Sequence, residues 1–343
     1  MNKKLVSVLI FSLFVSFFFA EKISITKFTA DNGSDFFWDP FTASGCIQKN
    51  GHTVVFRADD PIVTIDYSQL ALVNPPEEKD GTIYIDASFT DLVKPVFENP
   101  VENNYTGLFK IGAILIDAGH GGKDPGAMET YTFSGKKTVV REKDITLSAA
   151  KKLYKLLKNN YPDKKILLTR DDDTFLSLAE RVEKANSVQL KDNEAVVYVS
   201  IHVNAAFDKK AGGFEAWYLS PGYRRNVIDT SASSDKELLP ILNSMMEEEY
   251  TTESILIAKY IIDGLTAQSE GKIASRGIKQ EEWFVVRNAK MPSVLVELGF
   301  LTNPTEAALL INDDYLQKLT LGIYNGISSF ITHFERSRGF TGL

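Results

Sequence analysis

Cysteine is all but missing from this chain: Cys46 stands alone among 343 residues, which excludes an intramolecular disulfide. A small scaffold stapled by cross-links is thereby ruled out, and stability must come from a buried core. Basic clusters are missing too. No block of lysine and arginine interleaved with aromatics occurs, and the formal charge is −7. Tracking nucleic acid needs clustered positive charge, so no nucleic-acid partner is expected. Long hydrophobic runs are confined to the first twenty residues. No later segment approaches the roughly 20 apolar residues that cross a bilayer. Internal repeats and low-complexity tracts are lacking as well.

What is present suits a globular protein. The chain is 44% hydrophobic and 24% charged, enough for a substantial core, and its length predicts two or three domains. Residues 1–20 have the order of an export signal: Lys3-Lys4, an uncharged run from Leu5 to Phe19, then Ala20. Cleavage after Ala20 is the expectation, with an uncleaved anchor as its alternative. Loss of these two lysines takes the remainder from −7 to −9. Export without disulfides points to the periplasm or cell envelope of a bacterium. Cys46 follows Ala43-Ser44-Gly45 but lies far beyond the apolar run, so it reads as a buried thiol rather than an acylation site.

Residues 21–107 read as a small β-rich accessory domain. Ile23–Phe28, His52–Ala58, Ile62–Tyr67 and Gly81–Ser88 are short β-branched and aromatic runs, separated by turns such as Asp31-Asn32-Gly33. His52 has no companion ligand and is expected on a strand surface. A polar stretch from Glu98 to Thr106 reads as a linker.

From Leu108 the rhythm changes. Strands are predicted at 111–116, 165–169, 195–200, 213–219, 283–287 and 293–297. Helices are predicted at 144–159 behind an Asp144 cap, from Ser177 with Glu180 completing a capping box, at 253–267 and at 314–335. The alternation predicts an α/β fold: a mostly parallel or mixed twisted sheet over 108–337 with helices on both faces. Gly212-Gly213 marks a strand entry, and His333 is expected on the surface of the last helix. Within 221–252, Ser234-Asp235 could cap a helix carrying Leu238, Leu242, Met245 and Glu247-Glu248-Glu249.

Three apolar runs end in groups able to bind metal or move a proton: ILIDAGHGG (114–122), YVSIHVNAA (198–206) and VLVELGF (294–300). Ligand sites in α/β sheets form beyond the carboxyl ends of strands, which places His120, His202 and Glu297 on one rim. Glu142 opens the helix after the first strand and is returned to the same edge. Two imidazoles and a carboxylate leave a tetrahedral Zn²⁺ one open position for water, the arrangement of a catalytic site. Glu297 is then the expected general base and acid. Asp117 and Asn204 are candidate outer partners that orient rings or backbone. Arg170 and Arg181 are expected as structural ion-pair or cap residues.

At these residues the chain resembles the zinc-dependent N-acetylmuramoyl-L-alanine amidases of bacterial cell walls. The blocks occur in order: IDAGHGGKDPGA (116–127), REKDITL (141–147), TRDDDTFLSLAERVEKAN (169–186), SIHVNAA (200–206), RGIK (276–279) and PSVLVELGFLTNP (292–304). The resemblance implies His120, Glu142 and His202 as zinc ligands and Glu297 as the catalytic glutamate. It also implies cleavage of the amide between the lactyl group of N-acetylmuramic acid and L-alanine in peptidoglycan. Ala118 departs from the family, which often has proline there. Some relatives carry a helix whose acidic side chain plugs the metal site until a protein activator removes it. The segment 221–252 is a candidate for such a helix; a peripheral amphipathic helix is the alternative. A monomer is expected, and residues 21–107 are candidates for cell-wall binding. Zinc chemistry on its own would equally serve a peptidase of stem peptides, and a domain without turnover could merely bind peptidoglycan.

Overall fold

Residues 22–40, 42–66, 69–100, 109–191, 193–228 and 238–336 are described by the structure, a computed structural model. The expected export signal lies outside them.

The N-terminal unit is β-rich, as its turn spacing predicts, but two helices interrupt it. Its elements are β1 (Ile23–Ser24), α1 (Ile25–Asn32), β2 (Asp35–Asp39), β3 (Ser44–Lys49), β4 (His52–Arg57), β5 (Ile62–Ile65), β6 (Gln69–Leu72), β7 (Glu77–Lys79), β8 (Thr82–Ile85) and α2 (Ala87–Glu98). Strands β2 to β6 form an antiparallel meander, and β1-β8-β7 a second antiparallel sheet. The expected strand 23–28 stops at Ser24, whose side chain accepts from Lys27 N–H and caps α1. Likewise Asp86 ends β8 by accepting from Ser88 N–H. Ile25, Phe28, Phe56 and Phe89 fill the core between the elements, and Cys46 is buried as expected. His52 is not on the surface. It is buried, with Nδ1 2.7 Å from Asp66 Oδ2 and Nε2 2.7 Å from the Asn99 carbonyl, so it ties β4 to the chain after α2.

The larger unit runs through β9 (Lys110–Ala118), β10 (Met128–Phe133), β11 (Lys136–Arg141), α3 (Glu142–Asn160), β12 (Lys165–Leu168), α4 (Leu178–Asn186), β13 (Glu194–Asn204) and β14 (Phe214–Tyr218). It continues with α5 (Leu238–Gln268), β15 (Ser275–Gln280), α6 (Phe284–Asn288), β16 (Ser293–Phe300), α7 (Pro304–Leu310) and α8 (Asp313–Arg336). Six strands form one mixed sheet in the order β12-β9-β13-β16-β14-β15. All neighbours are parallel except β14 and β16.

Residue parity assigns the two faces. Ile114, Ile116, Val197, Val199, Val294 and Val296 pack under α3, α5 and α8. Leu115, Tyr198 and Leu295 point the other way, against Val182 of α4 and Val285 of α6. Asp117, Ser200, His202, Glu297 and Glu215 share the parity of that second set. They continue its face toward the open rim of the sheet.

Four expectations are corrected. The apolar stretch 283–287 forms the helix α6 rather than a strand, with Val285 and Val286 buried on its inner face and Trp283 exposed at its N-cap. Helix α3 begins at Glu142 behind Arg141, with no side-chain cap, so Asp144 lies inside its first turn. Residues 238–268 form one continuous helix, α5. His333 is half-buried, with Nε2 3.5 Å from Asp39 Oδ2 of β2. The Ser177–Glu180 capping box forms as read.

Candidate metal centre

Strand β9 is buried along nearly its whole length and ends at Ala118, with Gly119-His120 following in a turn. His120 adopts a left-handed backbone, φ 59°, which non-glycine residues rarely adopt. A web of donors holds this turn. Arg170 donates to the carbonyls of Ala118 (2.9 Å) and Gly119 (2.8 Å), and Arg181 to those of Ala118 (2.7 Å) and His120 (2.6 Å). Arg181 also pairs with the buried Asp117 carboxylate, which accepts from Thr169, Tyr198 and Ser200 as well. The two arginines are therefore structural, as expected, and Asp117 braces the turn from below. Burial alone would raise the Asp117 pKa, but Arg181 and the three hydroxyls hold it below the usual carboxylate range.

Glu142 Oε1 lies 3.1 Å from His120 Nε2 and 3.0 Å from His202 Nδ1. The two imidazole rings stand 5.0 Å apart, nearly perpendicular. Backbone N–H groups fix the carboxylate: Val203 donates to Oε1 (3.0 Å) and Ala127 to Oε2 (2.8 Å). Burial would push this carboxyl up, but both histidines hold it far below its ordinary value. One donor atom from each of His120, Glu142 and His202 falls within 4.8 Å of the others, a group able to hold a metal ion.

The donor set fits zinc in kind: two ring nitrogens and a carboxylate oxygen. The surroundings fit as well. Asp124 Oδ2 pairs with His120 Nδ1 at 2.8 Å, the carboxylate partner that a ligating histidine usually has. Gly119 gives His202 its room, since a Cβ there would lie 2.5 Å from the ring.

Glu297 lies beside the cluster. It is the register partner of His202 across β13 and β16, and a register shift follows at once, between His202 and Asn204. Its Oε2 is buried with no hydrogen-bond partner among the described residues. Burial first, then the charges of Glu142 and Glu215, push its carboxyl well above the usual range. A group with raised proton affinity at a strand end is suited to carrying a proton.

The structure thus brings together His120, Glu142, His202 and Glu297. Asn204, two residues past His202, donates to Glu215 Oε1 at 2.8 Å. Asp124 and Glu215 were missed from sequence. Asp124 is four residues past His120 in a turn, and Glu215 is a lone acid in the apolar strand FEAWY; each pattern was a usable signal.

A cleft of about 340 Å³ opens beside His120 and His202, walled by Phe175, Leu178, Trp283 and Phe284. Three consecutive acids of α5, Glu247 to Glu249, are engaged elsewhere. Glu247 pairs with buried Arg225 at 2.8 Å, while Glu248 and Glu249 meet Arg57 of β4.

The larger unit is similar in sequence to known proteins. The profile of the N-acetylmuramoyl-L-alanine amidase family (Amidase_3) matches residues 114–329. The chain is 33% identical over 226 residues to the endolysin of Bacillus phage SPP1, covering 66% of this chain and 68% of that protein. It is 30% identical over 244 residues to N-acetylmuramoyl-L-alanine amidase AmiA of Salmonella typhimurium, covering 66% and 79%. Among solved structures, the N-acetylmuramoyl-L-alanine amidase of Clostridium difficile 630 is 30% identical, with a TM-score of 0.49 over 65% of this chain and 98% of that one.

Proposed function

Because the chain belongs to the N-acetylmuramoyl-L-alanine amidase family, we propose that it works through a zinc ion held by His120, Glu142 and His202. The bond cut is the amide joining the lactyl group of N-acetylmuramic acid to L-alanine in peptidoglycan. The observation that supports this chemistry best is the unpartnered Oε2 of Glu297 beside three convergent donors.

Each residue has a distinct task. Glu142, fixed by two backbone N–H groups, offers Oε1 between the two rings. Asp124 holds His120 Nδ1, which leaves Nε2 as the donor. When bound, the ion supplies Lewis acidity, polarising the scissile carbonyl and making water nucleophilic near neutral pH. Glu297 Oε2 accepts a proton from the attacking water and returns it to the departing amine of L-alanine. General acid–base work of this kind contributes about 10²- to 10⁴-fold.

Peptidoglycan as substrate places the enzyme outside the cytoplasm, in the periplasm or cell envelope, in keeping with the export signal expected at residues 1–20. Among the described residues no helix is long and apolar enough to cross a membrane. The unit spanning Ile23–Glu98 is proposed as an accessory module that touches the wall. An activator would be called for only if an acid of the 221–252 segment reached the ligand cluster. The described acids Glu247, Glu248 and Glu249 bind arginines instead.

Digestion of purified muropeptides with metal-loaded protein tests the reading. Mass spectrometry should find intact stem peptides with a free N-terminal L-alanine. Cuts inside the peptide, or none, would overturn it.

A further inference from the structure

On the rim of the sheet a row of side chains extends past the metal cluster. His202 pairs in register with Glu297, and Glu297 with Glu215, so the three share one face on three successive strands. The row ends at β15, the edge strand, where Arg276 Nε and Lys279 Nζ both donate to Glu215 Oε2.

Two features show that this pair of cations is built. Residues three apart in a regular strand point to opposite faces. Arg276 and Lys279 nonetheless converge, because the ladder with β14 slips between Phe214 and Ala216 and Gly277 takes φ 76°. Bulges of this kind re-aim side chains beside active sites. The neighbouring strand also makes room: a Cβ on Gly213, itself at φ 115°, would lie 2.5 Å from Arg276 Cγ. Ring faces seat both cations, Arg276 over Phe300 at 5.2 Å and Lys279 over Trp217 at 4.9 Å.

Neutralising Glu215 requires only one of them, and Asn204 already donates to its other oxygen. The pair sets two positive charges against the Glu215 carboxylate, with Glu306 a further acid in the field of Arg276. Both side chains remain partly open to solvent, 39% and 30% exposed.

We infer that Arg276 and Lys279 form a subsite for a free carboxylate on the peptide side of the substrate. Strands lie about 4.8 Å apart, so Glu215 is roughly 10 Å along the row from His202. An extended peptide covers that distance in about three residues. The ligand is therefore an acidic stem peptide whose carboxylate lies within three residues of the scissile amide. A guanidinium and an ammonium side by side suit a carboxylate, by charge and by donor number. The inference rests on the amidase reading and adds its substrate preference.

The test uses two N-acetylmuramoyl tripeptides, both amidated at the C-terminus with no carboxylate on the third side chain, that differ only at the second residue: D-isoglutamate with a free carboxylate or D-isoglutamine with that group amidated. Loss of a charged hydrogen bond changes kcat/KM by about ten- to a hundredfold, so the parent should favour the free acid by that factor. In Lys279→Gln and Arg276→Gln that preference should fall toward unity, with activity on the amide substrate much less affected. Equal parental rates on the two substrates would overturn the subsite while leaving the amidase reading intact. So would variants that slow both substrates alike, the result of a merely structural role. A parent that releases L-alanine termini from neither would overturn both.

Discussion

Arg181 Nη1 lies 2.6 Å from Asp117 Oδ1 with both side chains all but sealed from solvent, while Nη2 of the same guanidinium holds the His120 carbonyl at 2.6 Å. A buried ion pair is thus bonded directly to the backbone of His120, a proposed metal ligand. The pair clamps a turn that His120 adopts against its own backbone preference. Fold stability and the geometry of the proposed metal site meet in one guanidinium.

Breaking a buried pair by removing one partner typically costs about 3–5 kcal/mol. Asp117→Asn should therefore lower stability by an amount of this order at pH 7, read from urea unfolding. The penalty should shrink on acidification. Asp117 has a folded pKa below its unfolded value of about 3.9, so its contribution is fully present above that value and is lost as pH falls through the folded one. A penalty that stays constant between pH 7 and pH 3 would contradict the pairing.

Glu297→Gln should lower kcat by about 10²- to 10⁴-fold without changing metal content, measured by elemental analysis. The thermal midpoint should be no lower than the parent's. Burying an acid with an unpartnered oxygen is costly, and a neutral amide relieves the repulsion from Glu142 and Glu215.

Gly119→Ala should damage the metal centre from a position that is not a ligand. The new Cβ would lie 2.5 Å from His202 Cε1, and the ring would have to move. Zinc affinity, titrated against a chromophoric chelator, should weaken about ten- to a hundredfold, the range typical of disturbed ligand support. Far-ultraviolet circular dichroism should be unchanged.

Chelation should abolish hydrolysis, and added zinc should restore it. Zinc affinity should also fall with pH, because protons compete for the ring nitrogens. Burial alone would lower the His120 pKa, but Glu142 and Asp124 raise it above its ordinary value, so competition in the metal-free protein begins at a higher pH. Equilibrium titrations between pH 5 and pH 8 would show the slope.

The site was more legible in the sequence than the elements around it. His120, His202 and Glu297 each end an apolar run, and a buried strand that stops at a polar group announces itself locally. Glu142 could be placed because a helix start returns to the rim its preceding strand left. Edge strand β15 could not be seen this way, since it is mostly exposed and carries little hydrophobic alternation. The apolar stretch Phe284–Asn288 misled in the opposite direction: its hydrophobicity reflects burial, and burial does not distinguish a short helix from a strand. In the N-terminal unit, Ile25 and Thr26 favour strand by propensity. Ile25, Phe28 and Thr29 instead bury one helical face, and that spacing was the overlooked signal. Glu215 meets Asn204, Arg276 and Lys279 only once the strands assemble, whereas Asp124 sits four residues from its partner His120 and was open to a local reading.

The ligands come from the turn after β9, the first residue of α3 and the end of β13, and Glu297 from β16. No two of them are brought close by local structure alone. A chain held unfolded, or one whose central sheet is half assembled, consequently has no coordination sphere to offer. On the proposed zinc chemistry, loading the ion would wait for the completed sheet, and hydrolytic capacity would wait with it.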